Sequence, residues 1–350
     1  MKDIIELNYS ISTKKSLNSG IEILKVILTF LILVYHSLKE NIVDNKVNRI
    51  EKILIKIVPL YFSTFFVIFF YFTYNIFSSR NIKKIKERFI RLIVPYIYWP
   101  FIFSALQYFL YDKKLKTHNL LRDFFIQMLI GRRIYFIFWF QFNLIFITLI
   151  FSIVMLYSKK YFLHIFLTIF VIAYISEYFG FIELIFEHYN EDLKRSVGRI
   201  LKMMTFAITG FFLSSIKLLN HLKKHKIKNI IISIIAAGLI IFLKIFFYKY
   251  YFLEGIFLIL GSVFLMVSFA LLPISNITNM TITFLIKQST SYTAGIYYLH
   301  LKVLRSLESN ITIFEEGTLR GCALNYLICY SICFVGMKTL GKTRFRYLFI

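Results

Sequence analysis

The sequence predicts an all-α integral membrane protein, and three observations support that prediction. Apolar runs of about 18 or more residues recur along the chain, and each run is long enough to cross a bilayer as a helix. Of the 350 residues, 58% are hydrophobic and 19% are aromatic, more than a soluble domain contains. Lys and Arg outnumber Asp and Glu by 42 to 18, giving a formal charge of +24. Basic residues between apolar runs are typical of cytoplasmic loops that face anionic lipid.

The apolar runs predict about ten transmembrane helices. The first spans about 20–38, the second 53–77 and the third 92–111, which contains Pro95 and Pro100. Membrane helices tolerate proline where neighbouring groups satisfy the freed carbonyls. A loop at 112–133 follows, with a short amphipathic segment at 120–130. The remaining spans are predicted at 134–157, 161–179, 199–218, 229–247, 252–272, 290–306 and 320–339.

The distribution of charge orients these helices. Loops 78–91 and 217–228 are strongly basic, which indicates the cytoplasmic side, whereas loop 180–196 is acid-rich and is expected to face outward. The order of the spans places the loop at 112–133 on the outer side although it is basic, and it is the one exception to this charge pattern. Ten spans place both termini in the cytoplasm. The predicted organisation is a cytoplasmic segment at 1–18, a polytopic membrane domain at 19–340 and a basic cytoplasmic tail at 341–350.

The composition also excludes several classes of function. Nucleic-acid binding requires a basic face on a folded soluble module, and the sequence predicts no such module. Cys322, Cys329 and Cys333 are spaced by seven and four residues, which places them on one stripe of the last helix. This spacing fits neither a metal site nor a disulfide framework, so we expect small packing residues and no metal. The first apolar stretch contains charges and is not followed by a small-residue cleavage site, unlike a signal peptide.

The first predicted helix, GIEILKVILTFLILVYHS, carries ionisable side chains inside an apolar run. Such groups are costly in a bilayer and by default mark a functional site. Lys25 and His36 are eleven residues apart, close to three helical turns, so they share one face about 16 Å apart along the axis. The imidazole of His36 is suited to proton transfer at neutral pH. The alternatives are a hydrogen bond from His36 to a neighbouring helix and an interfacial position for the Lys25 ammonium.

Two further groups of polar residues lie at the ends of predicted spans. Arg88 and Arg91 are three residues apart on one face at the head of the third helix, where guanidiniums suit phosphate, although most basic residues here anchor loops. Trp139, Gln141 and Asn143 lie in FWFQFNLIF, and amides in such a helix should point away from lipid. An aromatic plane beside amides suits a sugar ring. The alternative is an interfacial aromatic belt with hydrogen bonds between helices.

A late polar motif completes the set of candidate residues. In STSYTAGIYYLH, Tyr297 and His300 are one helical turn apart. His300 could share in catalysis or line a cavity, and an equally good alternative is a role in packing and hydrogen bonding.

In order and spacing, these motifs resemble those of the membrane-bound acyltransferase family 3. The resemblance rests on Gly-Ile-acidic-x-x-basic followed ten residues later by His-Ser, on Arg-x-x-Arg before Leu-x-x-Pro-Tyr, on a Trp-Phe block, and on Ser-Tyr-x-x-Gly-Ile-Tyr-x-x-His. It covers nearly the whole chain. The chain departs from the family at Lys25, where arginine is usual. Lysine supplies the charge but not the bidentate geometry of a guanidinium.

The resemblance implies a multi-pass O-acyltransferase of the bacterial cytoplasmic membrane. Such an enzyme moves an acyl group, expected to be acetyl, from cytoplasmic acyl-CoA to a hydroxyl of a cell-surface polysaccharide or of its lipid-linked precursor. Acyl-CoA is the expected co-substrate, the bilayer and the glycan are the expected partners, and a homodimer is left open. The implied roles are catalysis by His36, acyl-CoA binding by Arg88, Arg91 and Lys25, and acceptor binding or cavity lining by Trp139, Gln141, Asn143, Tyr297 and His300.

A transporter or flippase of a glycan precursor is the alternative from another class of protein. It would equally have many helices and buried polar groups. Transporters often contain inverted repeats and paired helices broken by Gly or Pro. This chain has 13 Gly and 4 Pro, and no paired breaks are visible in its sequence. The sequence therefore favours the enzyme.

Overall fold

The computed structural model describes residues 19–36, 49–110, 117–130, 138–158, 160–185, 191–247, 251–272, 286, 289–310 and 319–349. Within these ranges every regular element is a helix, which confirms the predicted all-α class. The predicted N-terminal segment at 1–18 lies outside the described residues.

The helices follow the predicted apolar runs closely. The first eight are α1 (Ser19–His36), α2 (Arg49–Ser78), α3 (Ile82–Leu110), α4 (Thr117–Ile130), α5 (Trp139–Tyr157), α6 (Phe162–Tyr178), α7 (Phe181–Ile185) and α8 (Glu191–Ser215). They are followed by α9 (Leu218–Leu222), α10 (Lys226–Phe246), α11 (Tyr251–Leu271), α12 (Thr293–Asn310) and α13 (Leu319–Leu340). Short 3-10 helices occupy Lys223–His225 and Arg344–Leu348. Gly180, with φ of +76°, allows the sharp turn between α6 and α7.

Seven segments among the described residues are long and apolar enough to cross a membrane, as expected of a multi-pass membrane protein. They are Ser19–His36, Lys56–Ser78, Trp139–Tyr157, Glu191–Ser215, Leu218–Phe246, Phe252–Leu271 and Gly321–Leu340. Helix α6 is apolar but has only 17 residues. Helix α3 contains most of the span predicted at 92–111 but begins ten residues earlier, at Ile82, within the predicted loop at 78–91, and α12 overlaps the span predicted at 290–306. The number of ten spans and the side on which the termini lie remain predictions.

The chain divides into two compact units. Unit 1 comprises Met1–Phe69 and Leu213–Val335, and unit 2 comprises Phe70–Phe212 and Gly336–Ile350.

In unit 1, α1 packs against the last two helices. The rings of Phe30 on α1 and Tyr326 on α13 meet edge to face, with centroids 6.1 Å apart. Val34 packs beside Cys322, and all three cysteines are buried and form no disulfide, which confirms their predicted packing role. A hydroxyl of Thr290 donates to the carbonyl of Glu22 at 3.2 Å. The contacts of Phe30 and Val34 position the end of α1 that carries His36, and the bond to Glu22 holds its other end.

A second group in unit 1 consists of α2, α10 and α11. The hydroxyls of Ser63 and Ser262 are hydrogen-bonded at 2.7 Å, and both side chains are fully buried. Small residues allow these helices to approach closely, as is common in membranes. A Cβ on Gly261 would lie 2.8 Å from a methyl carbon of Leu60. The buried ammonium of Lys244 and the half-buried carboxylate of Glu254 form an ion pair at 3.3 Å.

The core of unit 2 is aromatic. Phe70, Phe151, Phe166 and Phe211 are all buried, and Phe151 has its ring centroid 4.4–5.0 Å from the other three. Arg199 on α8 lies over Trp139 on α5. Twelve residues later on each helix, Phe211 of α8 contacts Phe151 of α5. Helices α5 and α8 therefore run side by side in the same direction. Aromatic pairs of this kind contribute about 0.5–1.5 kcal/mol each beyond the area they bury.

Candidate active site

The two candidate histidines of unit 1 lie in contact. His36 is at the end of the described part of α1, and His300 is in the middle of α12. Their ring centroids are 5.1 Å apart with an interplanar angle of 44°. His36 is 8% exposed and His300 is completely buried. The structure thus brings together two imidazoles that are 264 positions apart in the numbering of the chain.

A backbone hydrogen bond fixes the tautomer of His300. Its Nδ1 lies 2.6 Å from the carbonyl oxygen of Tyr297, one turn earlier on α12. Because a carbonyl can only accept, Nδ1 carries the proton and Nε2 of the neutral ring keeps a lone pair. This Nε2 is buried and has no hydrogen-bond partner among the described residues. A buried lone pair without a partner is the feature expected of a group that takes up a proton or binds a ligand.

Asn325 on α13 supports His300 and was not predicted from the sequence. Its side chain is fully buried, and its amide donates to the carbonyl oxygen of His300 at 3.1 Å. The thiol of Cys329 lies 3.4 Å from the amide oxygen of Asn325. Asn325 therefore ties α13 to the turn of α12 that carries the imidazole. An amide within the apolar run GCALNYLICY is the sequence signal that could have identified it.

The remaining candidates of unit 1 lie nearby or along the same helix. The ring of Tyr297 is buried, with its centroid 5.6 Å from that of His300. Lys25 is half-buried on α1, and its carbonyl accepts a hydrogen bond of 2.8 Å from the hydroxyl of Thr29. On a regular helix, Lys25 is three turns from His36 on the same face.

In unit 2, Arg88 and Arg91 have different environments. Arg88 is half-buried, its Nε is enclosed, and its Nη2 donates to the hydroxyl of Thr73 at 3.0 Å. It precedes the span predicted at 92–111. Burial and, to a lesser extent, the charge of Arg91 lower the pKa of Arg88 to about 10. The guanidinium therefore stays charged at neutral pH. Arg91 is exposed and lies 5.6 Å from the ring centre of Tyr347.

The three candidates of α5 are buried but have different surroundings. The guanidinium of Arg199 on α8 lies 5.1 Å from the ring centre of Trp139. Gln141 donates to the carbonyl of Leu92 at 2.8 Å, in the turn of α3 that precedes Pro95. Asn143 is 1% exposed, and its amide nitrogen has no hydrogen-bond partner among the described residues. Sequence analysis missed Arg199, whose signal was a basic residue on the amphipathic start of α8.

The structure thus groups the predicted residues into two sets. Unit 1 contains His36, Tyr297 and His300 in one cluster, with Lys25 further along α1. Unit 2 contains Arg88 and Arg91 on α3 and the polar residues of α5. Within the described residues, no group of three or more His, Cys, Asp or Glu side chains could hold a metal ion. The histidine cluster can accept and return a proton, and the arginines can bind an anion.

Comparison with known protein families agrees with this chemistry. A family model described as an acyltransferase domain matches residues 18–337. No curated protein and no solved structure matches the chain.

Proposed function

The chain belongs to acyltransferase family 3, and on that premise we propose that it is an O-acyltransferase of the bacterial cytoplasmic membrane. It moves an acyl group, with acetyl as the first expectation, from acyl-CoA to a hydroxyl of a cell-surface polysaccharide or of its lipid-linked precursor. The observation that carries this proposal is the contact between His36 and His300, with ring centroids 5.1 Å apart inside unit 1.

His36 acts as the general base. Its imidazole takes the proton of the acceptor hydroxyl while the hydroxyl oxygen attacks the thioester carbonyl. The carbon–sulfur bond then breaks, an ester forms, and the imidazolium returns its proton to the departing thiolate. A positioned base of this kind contributes about 10²- to 10⁴-fold to the rate.

His300 assists this proton transfer. Its proton is held on Nδ1 by the carbonyl of Tyr297, so Nε2 is the nitrogen that can share a proton with His36. Both rings are buried, and removal from water strengthens electrostatic interactions within the cluster. Tyr297 contributes both the backbone carbonyl and a ring that packs against His300.

The donor and acceptor roles of the other residues are extensions of the same proposal. Arg88 and Arg91 bind phosphates of acyl-CoA, supported by the retained charge of Arg88 and the exposure of Arg91. Lys25, in unit 1, is assigned to acyl-CoA binding through its positive charge. Trp139 offers an aromatic face to the acceptor, and Asn143 offers an amide that has no internal partner among the described residues.

Purified protein in lipid nanodiscs tests the reaction. With acetyl-CoA radiolabelled in its acetyl group and envelope glycan prepared from the bacterium that makes the protein, the wild type should release CoA and label the glycan. We expect His36→Ala to lower the rate at least 100-fold and His300→Ala to lower it at least tenfold. His164, exposed on α6, provides a matched control, because His164→Ala removes an imidazole away from the cluster.

Two outcomes would contradict the proposal. Undiminished glycan labelling by correctly folded His36→Ala would exclude the catalytic role of this imidazole. Binding of the glycan precursor without consumption of acyl-CoA would instead favour the transporter.

A further inference from the structure

The segment that follows α13 is fastened to α3 by specific contacts in unit 2. The indole Nε1 of Trp99 donates to the carbonyl of Leu348 at 3.0 Å, and the ring of Phe349 lies edge to face with Trp99 at 5.8 Å. Phe349 also packs against Gly336, where an added Cβ would lie 2.5 Å from the phenyl ring. Leu348 and Phe349 are buried. We refer to Arg344–Phe349 as the C-terminal anchor.

The C-terminal anchor places a second guanidinium at the tyrosine ring that Arg91 contacts. The hydroxyl of Thr343 accepts from the backbone N–H of Phe345 and caps the 3-10 helix at Arg344–Leu348. Arg346, carried by this helix, lies 4.9 Å from the ring centre of Tyr347, and Arg91 lies 5.6 Å from the same centre. Arg346 also donates to the Tyr347 hydroxyl at 2.9 Å.

The two guanidinium carbons share one tyrosine ring and are therefore at most 10.5 Å apart, a separation that a bound anion could bridge. Both guanidiniums are exposed, and neither has a carboxylate partner within the described part of the chain. Contact with one tyrosine ring offsets part of their mutual repulsion, because each cation is attracted by the negative face of the ring. A phosphate would offset the rest and can accept two parallel hydrogen bonds from each guanidinium.

We propose that Arg346 joins Arg91 in binding a phosphate group of the acyl donor, so that this one arginine of the C-terminal anchor forms part of the donor site. This inference rests on the proposed use of acyl-CoA. Arg346 is a binding residue, and Trp99 and Tyr347 are positioning residues. Loss of Arg346 should therefore weaken donor binding without altering the histidine cluster of unit 1.

The test uses unlabelled CoA as the probe and calorimetry on the full chain in neutral phosphatidylcholine nanodiscs. We expect Arg346→Ala to raise the Kd for CoA about tenfold, the effect of one charge-assisted phosphate contact. Arg344→Ala removes the same charge from the same exposed helix, and this matched control should change the Kd less than twofold. Trp99→Phe keeps every arginine but loses the hydrogen bond to Leu348, and we expect about a threefold increase.

The outcomes separate this inference from the proposed function. If the wild type fails to bind CoA, the proposed donor is wrong. If the wild type binds CoA and Arg346→Ala matches Arg344→Ala, only the inference fails. A lipid phosphate is the other source of this chemistry, so the titrations are repeated in anionic nanodiscs. An effect of Arg346→Ala confined to anionic nanodiscs would assign Arg346 to lipid and overturn the inference. If Arg346→Ala does not fold, Arg346→Lys replaces it in the test. This variant keeps the charge but loses the planar fork of the guanidinium, and we expect its Kd to lie between those of the wild type and a tenfold weaker binder.

Discussion

The imidazole of His300 is oriented by backbone atoms rather than by an acidic side chain. The ring Nδ1–H donates to the carbonyl of Tyr297, and the backbone carbonyl of His300 accepts from the side-chain amide of Asn325. A carboxylate partner would add a charge to a buried site and make protonation of the ring easier. A carbonyl fixes the tautomer without adding that charge. The cluster is therefore built to hold a neutral histidine whose Nε2 lone pair can accept a hydrogen bond.

The role of Asn325 gives the first prediction at this scale. Asn325→Ala removes the hydrogen bond to the carbonyl of His300, so the turn of α12 that carries the imidazole is no longer tied to α13. We expect kcat to fall about tenfold while the KM for acyl-CoA stays within twofold, because donor binding is assigned to other residues. The free energy of unfolding should fall by about 1–2 kcal/mol, the cost of losing one buried hydrogen bond.

Ser331 on the same helix supplies the control. It is exposed, and its hydroxyl donates only to the carbonyl of Leu327 within α13. Ser331→Ala should leave both kinetic constants unchanged. A rise in the KM of Asn325→Ala with normal kcat would show that this residue acts on donor binding instead.

Sequence analysis identified the histidines but not their support. His36 and His300 were visible because ionisable groups are rare in apolar runs. The sequence could not show that the two rings touch, since that contact depends on how α1 and α12 pack. Asn325 was missed for the same reason: its partner is a backbone carbonyl, and any residue type at position 300 would offer one. The regular spacing of residues within one helix, as for Lys25 and His36, does not predict contacts between different helices.

At the scale of helices, the structure explains how a proline-containing span is supported. Pro95 lacks an N–H, so the helix carbonyls before it need other donors. The sequence predicted such support without identifying the donor. The carbonyl that Pro95 leaves without its donor is that of Arg91, and Gln141 donates to the adjacent carbonyl of Leu92 in the same turn. Its predicted role in acceptor binding stays a prediction, but its amide nitrogen already has a structural partner.

The ion pair between α10 and α11 gives the second prediction. The Lys244 ammonium donates to Glu254 at 3.3 Å and to the carbonyl of Lys56 on α2 at 2.7 Å, and its side chain is 4% exposed. Glu254→Ala leaves this buried charge without its carboxylate. We expect the free energy of unfolding in detergent to fall by about 3 kcal/mol, with normal acyl transfer per folded molecule.

An exposed ion pair provides the comparison for this prediction. Glu191 on α8 pairs with Lys194 and Arg195, and its side chain is 66% exposed. Glu191→Ala should change the unfolding free energy by less than about 0.5 kcal/mol. Replacing both partners, in Lys244→Met with Glu254→Ala, should recover much of the lost stability. No recovery in the double variant would show that the pair does not act as a unit.

At the scale of the whole molecule, composition predicted the class of fold, and the number of about ten spans stays a prediction. A run of apolar residues identifies a helix long enough to cross the bilayer, and seven described segments meet that requirement. Helix α6, at 17 residues, is at the lower limit of the length needed. Apolar length alone does not decide whether such a helix crosses the membrane, because it also suits a buried or partly inserted helix. Whether a helix crosses, and in which direction, is decided by labelling residues from each side of the membrane.

The final prediction concerns membrane sidedness. The three native cysteines are all buried, so an impermeant maleimide should give little background labelling in intact cells. Glu191 and Lys224 are both exposed, and they flank the apolar part of α8 on opposite sides. If basic loops face the cytoplasm, Glu191→Cys should be labelled in intact cells and Lys224→Cys only after the membrane is permeabilised. Labelling of Lys224→Cys in intact cells would reverse the orientation of α8 and would place the basic loop at 217–228 outside the cell.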